Sequence, residues 1–305
     1  MNKQLKLFLD GVFASNELNR LPQMFGGDRI FSAPLIGVSC GDDDLFEKLK
    51  EIIGPEHLTP SDMWTQGGLP EDKNLAKRLG ILSVVFPYTR IIREEGEKNK
   101  KDMPPEIYCV ARNFANQFMD AVLEQIVGYI QTKGFRAISG VKSGAFQILT
   151  KETPFRIYSN WSERHIAFAC GLGTFSLHEG LITEAGCNIR LASVITDAPL
   201  EITPRLSDEP YGNCLHFANG TCGSCMAKCP AAAITEEGHD KHKCSLYNRK
   251  VGQEMQTRPV KSMLKPQHRE VNGETRISYP VGCALCQFGV PCTDKNPVNV
   301  GEETG

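Results

Sequence analysis

The last third of this chain carries eight of its twelve cysteines, in two blocks, and whatever that segment folds into must find a use for eight thiols. The first block is Cys214, Cys222, Cys225 and Cys229, within CLHFANGTCGSCMAKCP. The second is Cys244 followed by Cys283, Cys286 and Cys292, the last three within GCALCQFGVPC. The run Cys222-x2-Cys225-x3-Cys229-Pro230 is the back half of the bacterial ferredoxin ligand run, in which the cysteine before proline serves the other cluster of a pair. Sharing out the ligands by that rule gives Cys214, Cys222, Cys225 and Cys292 to a cluster A. Cys229, Cys244, Cys283 and Cys286 then form a cluster B. Each set supplies the four thiolates of a [4Fe–4S] cube, and no cysteine of the two blocks is left over. Seven residues separate Cys214 from Cys222 and five separate Cys286 from Cys292. Both gaps are wider than in the usual run, so loops are expected there. Paired C-x2-C units also build tetrahedral zinc sites, which keeps a zinc ribbon as the rival reading. Cys229-Pro230 followed by Ala231-Ala232-Ala233-Ile234 favours clusters. Disulfides fit poorly with such tight spacing, and unpaired thiols point to a reducing cytoplasm.

The rest of the chain is ordinary enough to fold without its clusters. Hydrophobic residues are 41% and charged residues 23%, a globular balance, and 305 residues can bury a core. A formal net charge of −2 lacks the basic excess of a dedicated nucleic-acid binder. The opening segment MNKQLKLFLDGVFASNELNR has its apolar run broken by Asp10, Asn16 and Glu17, unlike a signal peptide. No apolar run is long enough to span a bilayer, so no membrane partner is expected. The mixed charges from Glu94 to Lys101 read as a solvated loop.

Periodicity predicts an α+β fold in two parts. Residues 3–20 carry apolar positions at helical spacing. Residues 34–39 read as a strand, and so does Ile81-Leu82-Ser83-Val84-Val85-Phe86, a continuous apolar run between Gly80 and Pro87 that reads as buried. Ile107 to Thr132 is the longest helical pattern, closed by Gly134. A helix is expected from about Asn160 to Ala169, and a strand over 190–196. Pro199 to Asp208 reads as a linker. The expected domains are therefore 1–204, a larger sheet-and-helix unit, and 205–305, a ferredoxin-like unit with two clusters and only brief helices.

One further stretch is informative. It runs from Ser162-Glu163-Arg164-His165 through Ala169-Cys170-Gly171-Leu172-Gly173 and Leu181-Ile182-Thr183 to Val194-Ile195-Thr196-Asp197-Ala198-Pro199-Leu200, ahead of the two cysteine blocks. In order and spacing it resembles the corrinoid domain shared by epoxyqueuosine reductases and reductive dehalogenases, over about residues 105–295. The resemblance implies a cobalamin bound without its lower base ligand, with two [4Fe–4S] clusters passing electrons to its cobalt. It implies that Gly171 and Gly173 let the backbone come close to the corrin, and that Thr174, Phe175, Ser176 and His178 face it. Epoxyqueuosine reductases carry an acidic residue where this chain has Ile157 and Tyr158. Reductive dehalogenases use a tyrosine as proton donor, which makes Tyr158 the candidate catalytic acid. The chain is similar to short relatives lacking a C-terminal helical-repeat region, so tRNA is disfavoured and a small-molecule substrate is expected. A low-potential donor such as ferredoxin or flavodoxin is the implied electron source.

The alternative is an electron-transfer or assembly protein without corrinoid chemistry. Cys40, Cys109, Cys170 and Cys187 read as small buried hydrophobes, with Cys170 placed to line a pocket. His165 and His178 read as hydrogen-bond donors, His239 and His242 as surface residues near cluster B, and Trp64 and Trp161 as core.

Overall fold

The computed structural model describes residues 1–71, 73–99, 102–150, 157–205, 208–271 and 274–298. Helix α1 (Asn2–Ser15) leads to strand β1 (Leu35–Cys40), then to α2 (Leu45–Ile52), α3 (Pro60–Gln66), α4 (Leu75–Arg78) and strand β2 (Gly80–Pro87). Next come α5 (Arg90–Lys98), α6 (Glu106–Thr132), β3 (Ala137–Ser139), β4 (Ile148–Thr150) and β5 (Ile157–Ser159). Helix α7 (Glu163–Ala169) precedes a small hairpin, β6 (Thr174–Phe175) with β7 (Leu181–Ile182), and the long strand β8 (Ile189–Thr196). The cysteine-rich part holds α8 (Leu215–Asn219), α9 (Ser224–Lys228), β9 (Ile234–Thr235), β10 (Gly238–His239), α10 (Lys241–Met255), β11 (Gln267–Val271) and β12 (Glu274–Ser278).

The main sheet has the order β1-β2-β8-β3, with every neighbouring pair antiparallel. Its centre is β2, buried along its whole length as the unbroken apolar run predicts. Alternation divides its side chains between two cores. Leu82, Val84 and Phe86 pack with α1 and α6, while Ile81 joins Trp64, Trp161 and the buried face of α7. Helix α6 lays Phe118, Val122, Ile126 and Ile130 against the first core at helical spacing. It ends where Gly134 takes the left-handed conformation (φ +83°), which satisfies the last carbonyls and turns the chain into β3.

Helix α3 shows how local chemistry fixes a boundary. Thr59 accepts from the Asp62 amide at 3.1 Å while the Asp62 carboxylate accepts from the Thr59 amide at 3.1 Å, with Pro60 in the first helical position. Thr59→Ala is expected to cost about 1 kcal/mol in chemical denaturation, the usual value of an N-cap.

A second sheet, β12-β11-β4-β5, joins strands from 267–278 to strands from 148–159. Its members come from both sides of the boundary expected at 204/205. The mixture of helix and mostly antiparallel sheet, with β11 and β4 paired in parallel, agrees with an α+β fold. Two elements differ from the sequence expectation. Residues 241–255 form a helix of 15 residues rather than a brief one, because Asp240 caps it by accepting from the His242 and Lys243 amides. Only Val251 and Met255 on that helix are fully buried, so its periodicity is faint. Glu94 to Lys98 likewise finish α5 instead of forming a loop. Lys100 and Lys101 lie outside the described residues. Among the described residues, no helix is long and apolar enough to cross a membrane.

Candidate functional site

The first thiol group is assembled from three loops. Cys214 caps α8, Cys222 and Cys225 flank the start of α9, and Cys292 arrives from the C-terminal loop. All four line one small cavity, together with Ser176, His178 and Ile182. Burial, then the neighbouring sulfurs of Cys292, Cys214 and Cys222, push the Cys225 thiol up to about 12. Its electrostatic neighbours are thus the other three residues of the expected cluster A.

The second group surrounds Cys286. Burial raises that thiol well above the usual range, and Cys283, Cys244 and Cys229 raise it further, with Cys225 the most weakly acting neighbour. Burial pushes Cys283 up to about 12, again with Cys244 and Cys229 beside it. Two of these sulfurs accept hydrogen bonds, Cys229 from the Ala233 amide at 3.3 Å and Cys244 from Asn248 Nδ2 at 3.4 Å. None of the twelve cysteines is in a disulfide.

Spacing bears on the choice between zinc and clusters. Thiolates about 2.3 Å from a tetrahedral zinc stand about 3.8 Å from one another. No three of the eight thiols lie within 4.8 Å of one another; among the described residues, the one such group of three donors is His178, Cys187 and Cys292. A cube, with an iron behind each thiolate, needs the wider spacing. Soft thiolates in fours, beneath Leu177, Ile182 and Ile234, fit iron–sulfur cubes.

Tyr158 lies elsewhere. It lines a half-open cavity of about 440 Å³ with an apolar floor that includes Leu49, Phe168 and Phe175. Its hydroxyl donates to the Glu56 carboxylate, a partner 102 positions away in the chain. Arg164 and Glu179 face the same space and pair with each other at 3.8 Å, while Lys241 stands 3.5 Å from Glu179. Burial works against ionisation of Glu179, yet His239, Lys241 and Arg164 hold it down at about 2. Burial drives His165 down to about 3, so it is neutral and shares a 2.8 Å hydrogen bond with Ser162 Oγ. His239 sits 3.5 Å from Glu179 and is also a neighbour of Cys244, so a polar chain runs from this cavity to the second thiol group. Reading His239 as a surface residue missed this link; its half-buried position between a carboxylate and a sulfur is a tertiary fact.

The six residues expected at a corrin are dispersed. Only Phe175 lines the Tyr158 cavity; Ser176 and His178 line the first thiol cavity instead. A Cβ on Gly171 would stand 2.8 Å from the Pro204 carbonyl oxygen, and one on Gly173 would stand 2.1 Å from that of Ile182. The room these glycines leave is therefore taken by the chain itself. Thr174 Oγ1 accepts from the Asn213 amide at 2.7 Å, and Ser176 Oγ donates to the Gly180 carbonyl at 2.9 Å. A cavity of about 440 Å³ suits a drug-sized molecule.

A third cavity, about 760 Å³, lies between α6, β8 and β11. Glu163 reaches it from the first turn of α7, with both carboxylate oxygens buried and Ser193 as the polar neighbour that works against the effect of burial. Burial raises this carboxyl to about 7. In the sequence Glu163 stands at a helix start and within the stretch that resembles the corrinoid domain, with nothing to mark it as a buried carboxyl. Trp161 and Trp64 are core as expected, their indole N–H groups donating to Ser193 Oγ at 2.9 Å and to the Pro70 carbonyl at 3.1 Å. Cys170 is fully buried and faces the Ile81 carbonyl at 3.2 Å rather than a pocket.

No family model matches the chain. An epoxyqueuosine reductase from Gloeobacter violaceus is 26% identical over 216 residues, covering 70% of this chain and 56% of that protein. The chain thus spans little more than half the length of this relative. Among solved structures, a selenomethionine-labelled epoxyqueuosine reductase aligns with TM-score 0.48 at 17% identity, over 97% of this chain and 69% of that one. A catabolic reductive dehalogenase aligns with TM-score 0.43 at 16% identity, over 81% of this chain and 33% of that one. In sequence, over 70% of its length, the chain is similar to this epoxyqueuosine reductase.

Proposed function

We propose that the chain is an iron–sulfur reductase in which two [4Fe–4S] clusters, held within residues 205–305, bring electrons to the cavity at Tyr158. The observation that carries this reading is the sorting of eight thiols into two groups of four, the first around one cavity. Clusters move one electron at a time, so a two-electron reduction draws on both in turn. Ferredoxin or flavodoxin is the class of donor that would load them. In this reading Arg164, Glu179 and Lys241 orient a small polar substrate. Tyr158 supplies a proton from its hydroxyl, with Glu56 holding that hydroxyl in place.

A second reading rests on the similarity to epoxyqueuosine reductase. It adds a base-off corrinoid between the clusters and the substrate, which would supply a strongly reducing cobalt centre. The alternative without corrinoid chemistry is an electron-transfer protein whose cavity docks a partner.

Anaerobic purification with iron, sulfide, zinc and cobalt counts tests the first reading. About eight irons and eight acid-labile sulfides per chain are expected after reconstitution. A colourless protein carrying zinc would overturn it. Titrating the reconstituted chain with base-off cobalamin under reducing conditions then separates the corrinoid reading, which requires an absorbance change at stoichiometric binding, from the other two.

A further inference from the structure

Beside the first thiol group stand two donors that the eight-ligand scheme does not use. The loop carrying Cys187 is strapped to the loop carrying Cys292. The Cys187 amide donates to the Cys292 carbonyl at 2.7 Å, and the Asn188 amide donates to that of Thr293 at 3.2 Å. Gly186 takes the left-handed conformation (φ +79°), and a Cβ there would stand 2.4 Å from the Asp294 nitrogen, so the approach needs glycine. The strap sets the Cys187 sulfur 3.6 Å from the Cys292 sulfur, at 1% exposure. That separation is too short for two corners of one cube, and Cys187 does not line the cavity that Cys292 shares with Cys214, Cys222 and Cys225. It stands outside the cage.

His178 approaches from the other side, on the turn between β6 and β7. Its Nδ1 accepts from the Gly180 amide at 3.1 Å. The ring proton therefore sits on Nε2, which is buried and has no other partner, while the imidazole brings a ring nitrogen within 4.8 Å of both sulfurs and is a hydrogen-bonding neighbour of Cys292. Ligation of a metal by Nε2 would require the opposite tautomer, with Nδ1–H giving its proton to an acceptor. Here Nδ1 meets a donor. Although His178, Cys187 and Cys292 are close enough to ring a single ion, the imidazole is turned to donate.

We infer that Cys187 S–H and His178 Nε2–H are hydrogen-bond donors to the Cys292 sulfur and together set the reduction potential of cluster A. The inference rests on the two-cluster reading above. Hydrogen bonds to cluster sulfurs spread the negative charge that reduction adds, which favours the reduced state and raises the potential. Both residues act through Cys292 and are positioning residues.

The test is an EPR-monitored redox titration of the reconstituted full chain. The wild type should show two midpoints. Cys187→Ala and His178→Ala should each move one midpoint to lower potential and leave the other in place, with iron staying at about eight. The double variant should move it further. Cys187→Ser, which restores an O–H donor, and His178→Gln, which restores an N–H donor, should recover most of the shift. Unmoved midpoints in both alanine variants, with two clusters present, would overturn this inference alone. So would iron falling to about four in both Cys187→Ala and Cys187→Ser, which would make Cys187 a ligand, or zinc bound at wild-type His178–Cys187–Cys292. A wild type that never holds a second cluster would overturn the two-cluster reading and this inference together.

Discussion

Cys225→Ala is expected to lower the iron content of the reconstituted chain from about eight atoms to about four, and Cys286→Ala to remove the other four. Each of these sulfurs is at the centre of its group. Cys225 is surrounded by Cys292, Cys214 and Cys222, and Cys286 by Cys283, Cys244 and Cys229. Alanine is the better replacement because a serine oxygen can stand in for a thiolate. Paired variants decide how the ligands are shared. If cluster A takes Cys292 from the second block, Cys225→Ala with Cys292→Ala damages only one cube and leaves about four irons. Cys225→Ala with Cys229→Ala then strips a ligand from each cube and leaves almost none. If instead each sequence block held its own cluster, the two results would exchange. Iron and acid-labile sulfide counts on the four variants read this directly. Ligand binding by thiolates is also folding free energy for a small metal-bearing unit. The second pair should therefore lose more amide protection across 214–292 than the first.

What the sequence discloses follows from where the constraint lies along the chain. Strand β2 was legible because it is buried on both faces, so its apolar run is unbroken, and α6 because Phe118, Val122, Ile126 and Ile130 recur at helical spacing on its buried face. The cysteine groups were legible because ligand spacing is a local pattern even when the members are far apart. Helix α10 was not, since two buried residues in fifteen leave little periodicity. The side chains that give the cavities their chemistry were the least visible. Tyr158 was singled out, but its partner Glu56 lies 102 positions earlier and no spacing rule connects them. Cys187 read as a buried hydrophobe, which its burial supports. Its contact with Cys292, 105 positions later, exists only because Gly186 lets two loops touch. Gly171 and Gly173 were noticed for a good reason, close approach of backbone, but what approaches them is residues 182 and 204 of the same chain.

Glu163→Gln is expected to leave stability nearly unchanged near pH 4 and to raise it, relative to the wild type, by up to about 3 kcal/mol near pH 8. The Glu163 carboxyl is raised from 4.5 to about 7 because its oxygens are buried. Some 2.5 pK units at about 1.36 kcal/mol each give the magnitude. The sign follows from proton binding. The folded state holds this proton more tightly than the unfolded chain, so its contribution is complete below pH 4.5 and is lost as pH rises towards 7. Above that, the native protein carries a buried carboxylate, whereas glutamine stays neutral throughout. Other groups face the same cavity: Asp120 from α6, Arg190 from β8, and Lys142, Lys265 and His268 from its rim. Asp120 is also raised, by burial, and would add a slope of the same sign. Its contribution is common to variant and wild type and cancels in the difference, which isolates Glu163. Native-state hydrogen exchange of α7 and β8 amides in the cluster-loaded protein is the suitable measurement, because global unfolding would destroy the clusters. A gap between variant and wild type that stays flat from about pH 4 to pH 8 would mean that the Glu163 carboxylate is solvated or paired after all. A gap that opens with pH leaves Glu163 poised near neutrality, which is the property required of an acid–base group in a cavity of that size.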